Sequence, residues 1–304
     1  MDAKLTVAIP THNRAACLDR QLGWLAATVR SHASECEILL ADNCSTDETP
    51  TVIERRRREL GGTRLRVHRH PRDIGAIRNI AWCISRARGS HVWTIGDDDR
   101  MDEGALAYVL AELDAHRDLG VLTLNFSSRL VRTGELRFER VYDFGDDQVH
   151  EDGRSLFARC LDSDPGGVAL TTAQVYRSDL ARRAIQEWPW GLRNLVAQIY
   201  WTGFCAANGP MKLTAETHLE CAAGTHFFLS DPRLEFKLDL GDTVEMYARL
   251  MSIGYSPELS ARLIRRQLHG NRRRIVRGLV RWPRVGFGVV FRIAKAWALV
   301  AARR

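Results

Sequence analysis

The chain is expected to fold as an α/β protein with a mainly parallel sheet flanked by helices. In roughly its first 130 residues, short apolar runs alternate with amphipathic stretches in repeated strand–helix–strand order. Several of those runs also stop abruptly in polar clusters, as strands do where ligands bind outside the carboxyl edge of such a sheet. Leu5-Thr6-Val7-Ala8-Ile9 reads as a buried strand closed by Pro10, and Arg14 to Val29 as a helix with Leu18, Leu22 and Leu25 at helical spacing. Glu37 to Ala41 is a second strand, closed by Asp42-Asn43. Ser45 to Glu48 offer N-cap oxygens for a helix reaching about Leu60.

Leu65 to Val67 reads as a third strand, Ile74 to Ala87 as a helix, and Val92 to Ile95 as the strand leading into Gly96-Asp97-Asp98-Asp99. A helix over Glu103 to His116 and a strand over Val121 to Leu124 complete this half. From Arg129 to Gly153 the pattern turns polar and alternating, consistent with a hairpin. Val168 to Tyr176 reads as a strand entering a helix near Arg177. Asn194 to Ala207 and Asp242 to Ile253 read as helices. The expected division is a first half over 1–128, a second half of the same domain over 129–258, and a tail over 259–304.

The 304 residues are 45% hydrophobic and 27% charged, an ordinary globular composition, with a net charge of +7. That charge is unevenly spread. Leu259 to Arg304 holds 13 Lys or Arg and no Asp or Glu, leaving 31 basic against 37 acidic side chains elsewhere. Seven cysteines, an odd number with no C-x-x-C pair, argue for reduced thiols and a cytosolic setting. The start of the chain has no signal-peptide pattern.

Three adjacent carboxylates repel one another unless a cation neutralises them or water screens them. Hard oxygen ligands at a strand end suit Mg²⁺ or Mn²⁺, which share their shell with water and substrate phosphates. The alternative is an acidic solvated turn. An EF-hand is excluded, because Met101, Asp102 and Tyr108 stand where an oxygen ligand, a glycine and a glutamate are required.

Four ordered segments resemble family-2 glycosyltransferases of the GT-A fold. They are Val7 to Arg14, Leu40 to Thr49, Gly75 to Ala81, and Trp93 to Asp99, the last in an Asp-x-Asp form similar to that of some O-antigen sugar transferases. The resemblance covers about residues 4–130. It implies an inverting transferase using a nucleoside diphosphate sugar of UDP, dTDP or GDP type. Asp42 would meet the nucleobase, with Pro10, Thr11, Asn13 and Arg14 around it. Arg78 would reach diphosphate or sugar hydroxyls, or else make a surface ion pair, and Asn79 would hold its loop. Asp99 would be the direct metal ligand; Asp97 would contact the metal's water or ribose, and Asp98 would stiffen the turn.

Family members often carry their base as a Glu-Asp pair beyond the metal motif, and this chain has none there. Glu187 is the nearest carboxylate, with Asp164 and Asp179 behind it. Trp188 and Trp190 read either as a sugar platform or as core, and His218 and His226 as further metal ligands or as ordinary histidines.

The tail reads as a basic helix to Arg281, broken at Trp282-Pro283, then an apolar helix. Its Arg284, Arg292 and Lys295 fall on one arc. Its charges disfavour a spanning helix, so an interfacial helix on an anionic membrane is expected, with docking on the protein itself as the alternative. The acceptor would then be a lipid-linked saccharide, and the enzyme peripheral at the inner face of the plasma membrane. Nucleic acid is disfavoured by the acidic body. A sugar nucleotidyltransferase is disfavoured because the turn after the first strand has no glycine. A transferase acting on a peptide or small natural product, and a membrane-docked non-catalytic relative, remain as alternatives.

Overall fold

The computed structural model describes residues 3–60, 64–225 and 231–303. In chain order the first half contains β1 (Leu5–Thr11), α1 (Ala15–Thr28), β2 (Cys36–Asp42), α2 (Thr49–Glu59), β3 (Arg64–Arg69), α3 (Ala76–Arg86), β4 (His91–Thr94), β5 (Arg100–Met101), α4 (Ala105–Ala115) and β6 (Val121–Leu130). Then follow β7 (Leu136–Phe138), β8 (Val149–His150), α5 (Gly153–Ser163), α6 (Pro165–Ala169), β9 (Gln174–Arg177), α7 (Ser178–Glu187), α8 (Ala197–Ala207) and β10 (Met211–Ala223). The chain closes with α9 (Pro232–Lys237), a π-helical turn over Leu238–Asp242, α10 (Thr243–Leu250), α11 (Pro257–Leu268), α12 (Arg272–Arg281) and α13 (Pro283–Ala301).

One sheet runs through the molecule in the order β3-β2-β1-β4-β9-β6-β10-β5. β3, β2, β1 and β4 are mutually parallel, and β6 is parallel to β10; β9 lies antiparallel between β4 and β6. Residues alternate between the two faces of β1, as strand geometry requires. Leu5, Val7 and Ile9 face a core completed by α1, α2 and α4, while Ala8 faces a larger one built from α3, α5, α7, α8, α10 and α11.

Most expected elements are present, with shifted ends. β1 continues through Pro10, whose missing N–H costs little at the last turn of a strand. α2 begins at Thr49 because Asp47 Oδ1 accepts the Thr49 amide at 3.0 Å, and its Oδ2 accepts the Ala15 amide of α1 at 3.1 Å. The strand expected over Val168 to Tyr176 is instead the turn α6, a 3₁₀ turn, and the short β9. None of the expected elements covered 208–241, where the structure has the 13-residue β10. Its alternating Met211, Leu213, Leu219 and Cys221 against Lys212, Thr214, His218 and Glu220 is a period-2 signal.

Two expectations about the second half need correction. The division at 128 falls inside β6, and the tail division at 259 falls inside α11, whose Leu263 and Ile264 are fully buried. The predicted cationic arc of α13 does not face solvent as a unit. Arg292 turns inward, its Nη1 donating to fully buried Asp242, with Nε 3.5 Å from Glu245. Gly286, Val289, Ala296 and Val300 are the buried face of this helix. α12 and α13 meet where a Cβ on Gly286 would come within 2.7 Å of the Leu279 Cα, so only glycine fits the crossing. Outside lie Val276, Val280, Phe287 and Phe291, the last two at 68% and 69% exposure. Among the described residues, no helix is long and apolar enough to cross a membrane.

Candidate active site

The neighbouring carboxyl ends of β2, β1 and β4 bring Asp42, Thr11 and the aspartate triplet side by side. Thr11 is the pivot: it pairs in register with Asp42, its carbonyl accepts the Asn43 amide at 2.9 Å, and its hydroxyl donates to Asp97 Oδ2 at 2.6 Å. The two sequence-predicted acidic clusters therefore share one rim.

Asp42 is 1% exposed. Its Oδ1 accepts the Ser45 amide at 2.9 Å, while among the described residues Oδ2 has no hydrogen-bond partner and only Arg69 Nε at 3.5 Å. A buried carboxylate oxygen left unpaired costs free energy, and such an atom at a strand end is a mark of a ligand position. Asn13 and Cys44, with φ of 52° and 62°, set the loops around it. Asn13 ties those loops together, its amide donating to Ser45 Oγ at 2.9 Å and its Oδ1 accepting the Thr46 amide at 2.7 Å.

Asp97 and Asp99 are 6% and 4% exposed. Burial pushes their carboxyls up to about 7 and about 6, a strong bias against carrying charge unaided. Asp99 accepts from the Thr172 hydroxyl through Oδ2 and from the Ala222 amide at 3.1 Å through Oδ1. Gly96 has no room for a side chain, since its Cβ would lie 2.9 Å from Asp99 Oδ2 and 3.2 Å from Thr172 Oγ1. Asp98 accepts from Arg14 and, at 2.7 Å, from Thr225; its carbonyl accepts from Arg20 at 2.8 Å. These contacts tie the turn to α1 and to the end of β10.

Arg14 does more than start a helix. Its guanidinium reaches Asp98 and, at 3.5 Å, Asp97, and donates to the Thr225 carbonyl at 2.8 Å. Pro10 is half-buried beside Thr11. Asn79 is buried, donating to the Ala41 carbonyl at 3.0 Å and pairing with His70 at 3.0 Å, so it holds the loop. Arg78 is exposed, and its guanidinium lies 3.5 Å from the Ile74 carbonyl. Among the described residues it forms no surface ion pair, one of its two expected roles.

The remaining candidates lie elsewhere. Glu187, at the end of α7, lines a cavity whose walls include Trp188 and Trp190 but none of the triplet. Asp179 pairs with Arg177 at 2.9 Å at the opposite edge of the sheet, and Asp164 caps α6 through the Gly166 amide at 2.7 Å. His218 stacks on Tyr108 with ring centroids 4.1 Å apart, and His226 lies outside the described residues. Among the described residues, no group of three or more His, Cys, Asp or Glu side chains gathers into a metal cage. Thr172, Thr225, Arg20 and the Ala222 amide were not anticipated. They lie far along the chain from Asp99 and carry no motif; only the β10 periodicity pointed toward Ala222.

With this geometry in hand, comparison with known proteins is informative. Residues 6–173, more than half of the chain, match glycosyl transferase family 2. The chain belongs to that family. It is 28% identical over 113 residues to the poly(ribitol-phosphate) β-N-acetylglucosaminyltransferase TarS of Staphylococcus aureus strains Mu50 and MW2, a stretch covering 37% of this chain and 19% of TarS. The matched region thus spans about a fifth of those curated relatives. The crystal structure of S. aureus TarS 1–349 superposes with a TM-score of 0.64 at 16% identity, over 91% of this chain and 74% of that one, and is known in complex with UDP-GlcNAc. The mannosyltransferase PcManGT of Pyrobaculum calidifontis, in complex with GDP-Man and Mn²⁺, superposes with a TM-score of 0.50 at 15% identity, over 100% of this chain and 76% of that one. These structural likenesses establish the GT-A fold.

Proposed function

We propose that this chain is a metal-dependent inverting glycosyltransferase moving a sugar from a nucleoside diphosphate sugar to a saccharide acceptor. The observation that carries this reading is the shared rim: Asp42 with its unpaired buried oxygen, joined through Thr11 to Asp97. Asp42 Oδ2 suits an N–H of uracil, thymine or guanine, and complexes of TarS with UDP-GlcNAc and of PcManGT with GDP-Man support that class of donor.

The donor set fits a divalent cation. Two buried carboxylates whose ionised forms are disfavoured by burial need positive charge, and with too few protein ligands to close a shell they suit an ion that keeps water and binds phosphate oxygens. Mn²⁺ or Mg²⁺ bound there would stabilise the charge gathering on the departing diphosphate. Thr11 and Thr172 hold the two carboxylates in fixed orientations, and Arg14 adds a guanidinium against the same cluster. Glu187 is assigned as the base that takes the acceptor's proton. It is half-exposed, and among the described residues its one ion pair is a long contact of 3.9 Å to Arg183.

The acceptor is proposed to be lipid-linked, with the protein peripheral at an anionic cytoplasmic membrane face. Val276, Val280, Phe287 and Phe291 project beside Arg273, Arg277, Arg281 and Arg284, which pairs apolar insertion with attraction to anionic headgroups. The seven free cysteines suit a reducing compartment.

A screen of UDP, dTDP and GDP sugars tests the transferase reading: one donor should raise Tm and be hydrolysed only with Mn²⁺ or Mg²⁺, whereas no response to any would overturn it. Phe287→Asp with Phe291→Asp should release the protein from anionic vesicles. Unchanged vesicle binding would remove the membrane from the account.

A further inference from the structure

The cavity that Glu187 lines, of about 550 Å³, opens between α7, the 3₁₀ turn over Pro189–Arg193, α10 and α13. Chain direction takes the α7 end of this cavity toward the same edge of the sheet as the aspartate rim. β9 runs antiparallel to β4 and ends opposite His91, at the amino edge, so α7 must climb back toward the carboxyl edge. α8 then descends to Gly120, at the amino end of β6.

The lining of this cavity has more positive charge than its own acids can use. Arg292 is committed to Asp242 and Glu245. Arg249 donates through Nη2 to the Glu187 carbonyl at 2.9 Å, yet its Nε is buried without a partner. Arg193 sits over the Trp190 ring, 4.7 Å from its centroid. Among the described residues, neither Arg193 nor Lys295 has an ion pair. Trp190 is 69% exposed although Arg193 covers a face of its ring, while the neighbouring Trp188 is buried edge-on against Tyr200.

The geometry points to this cavity as a binding site for a phosphate-bearing saccharide, with phosphate oxygens held by Arg193, Lys295 and Arg249 and a sugar ring on Trp190. Guanidinium and ammonium groups bind phosphate by charge-assisted hydrogen bonds, and an indole face suits the C–H face of a pyranose. The site rests on the glycosyl-transfer reading and specifies its acceptor as anionic. It also makes α13 a wall of the acceptor site, through Lys295 and Arg292.

Inorganic phosphate, titrated against chloride at equal ionic strength, is the first probe. It should raise the Tm of the full chain saturably, and Arg193→Gln with Lys295→Gln should shift half-saturation upward roughly tenfold or more. The same phosphate response in both proteins, or no saturable response in the wild type, overturns the site. Trp190→Ala should weaken binding of a sugar 1-phosphate more than that of phosphate itself, since Arg193 also rests on this ring; equal loss of both would refute the sugar platform. A sugar 1-phosphate in solution and a polyprenyl phosphate in neutral vesicles then distinguish a soluble from a lipid-linked source, and binding of neither contradicts the assignment. Donor binding by the wild type, measured separately, fails only if the transferase reading itself fails.

Discussion

The aspartate rim is held by backbone, whereas the Trp190 cavity is held by side chains. Asp42 and Thr11 end adjacent parallel strands, and Asp97 lies three residues beyond the end of the third, so ladder hydrogen bonds and the Thr11–Asp97 bond fix their spacing. The cavity instead depends on contacts among helices far apart in the chain, with Arg292 of α13 reaching Asp242 of the π-helical turn. A site built on strand ends can keep one donor geometry, while a site built on helix faces can change with the acceptor. That contrast predicts where substitutions act: on turnover and nucleotide at the rim, on acceptor and stability at the cavity.

The largest effect should come from the rim. Asp97→Asn or Asp99→Asn should lower transfer by about 10³-fold or more while leaving Tm within a few degrees, because each amide keeps most of its carboxylate's shape. Turnover retained within a few-fold would detach the triplet from catalysis. Glu187→Gln comes next, with kcat expected to fall by about 10²-fold or more if it is the base. A change confined to KM would reduce Glu187 to acceptor contact.

The cavity's coupling to the fold is the third test. Arg292→Ala removes one of two cations from a fully buried carboxylate, and Lys237, 2.5 Å away, remains. The expected loss is about 1–3 kcal/mol, less than for a buried charge left wholly unpaired. An unchanged denaturation midpoint would mean that α13 does not depend on this contact.

A smaller effect tests the rim's charge. Asp97 and Asp99 are raised from 3.8 to about 7 and about 6. Between those limits the folded chain holds protons that the unfolded chain has released, so metal-free stability should decline as pH rises from about 4 to about 7. Asp97→Asn should flatten part of that slope, and Mn²⁺ should do the same. A metal-free stability that rises through this window would contradict the burial of these carboxylates.

The same contrast governs what could be read in advance. Asp42 and Asp97–Asp99 were legible because they are contiguous with apolar strands and sit at strand ends. Thr172, Thr225 and the Ala222 amide were not, since each reaches Asp98 or Asp99 through tertiary folding across dozens of residues. β10 has an alternation in its sequence but was not among the expected elements. In the tail, helical periodicity placed the break at Trp282-Pro283 but not the one between α11 and α12, nor which face docks: the angle between Arg292 and Arg284 is fixed by sequence, whereas the pull of Asp242 on Arg292 is not. The cavity's cations lie on the 3₁₀ turn, α10 and α13 and share no local pattern, so only packing brings them together.

Calorimetric titration of the donor's nucleoside diphosphate, with Mn²⁺, into wild type, Asp42→Asn and Asp97→Asn tests most directly whether one rim holds both ends of the ligand. Both substitutions should weaken binding, by about 10- to 100-fold for Asp42→Asn through its lost nucleobase contact. The loss for Asp97→Asn should vanish when Mn²⁺ is omitted. Affinity unchanged in both variants would contradict the account.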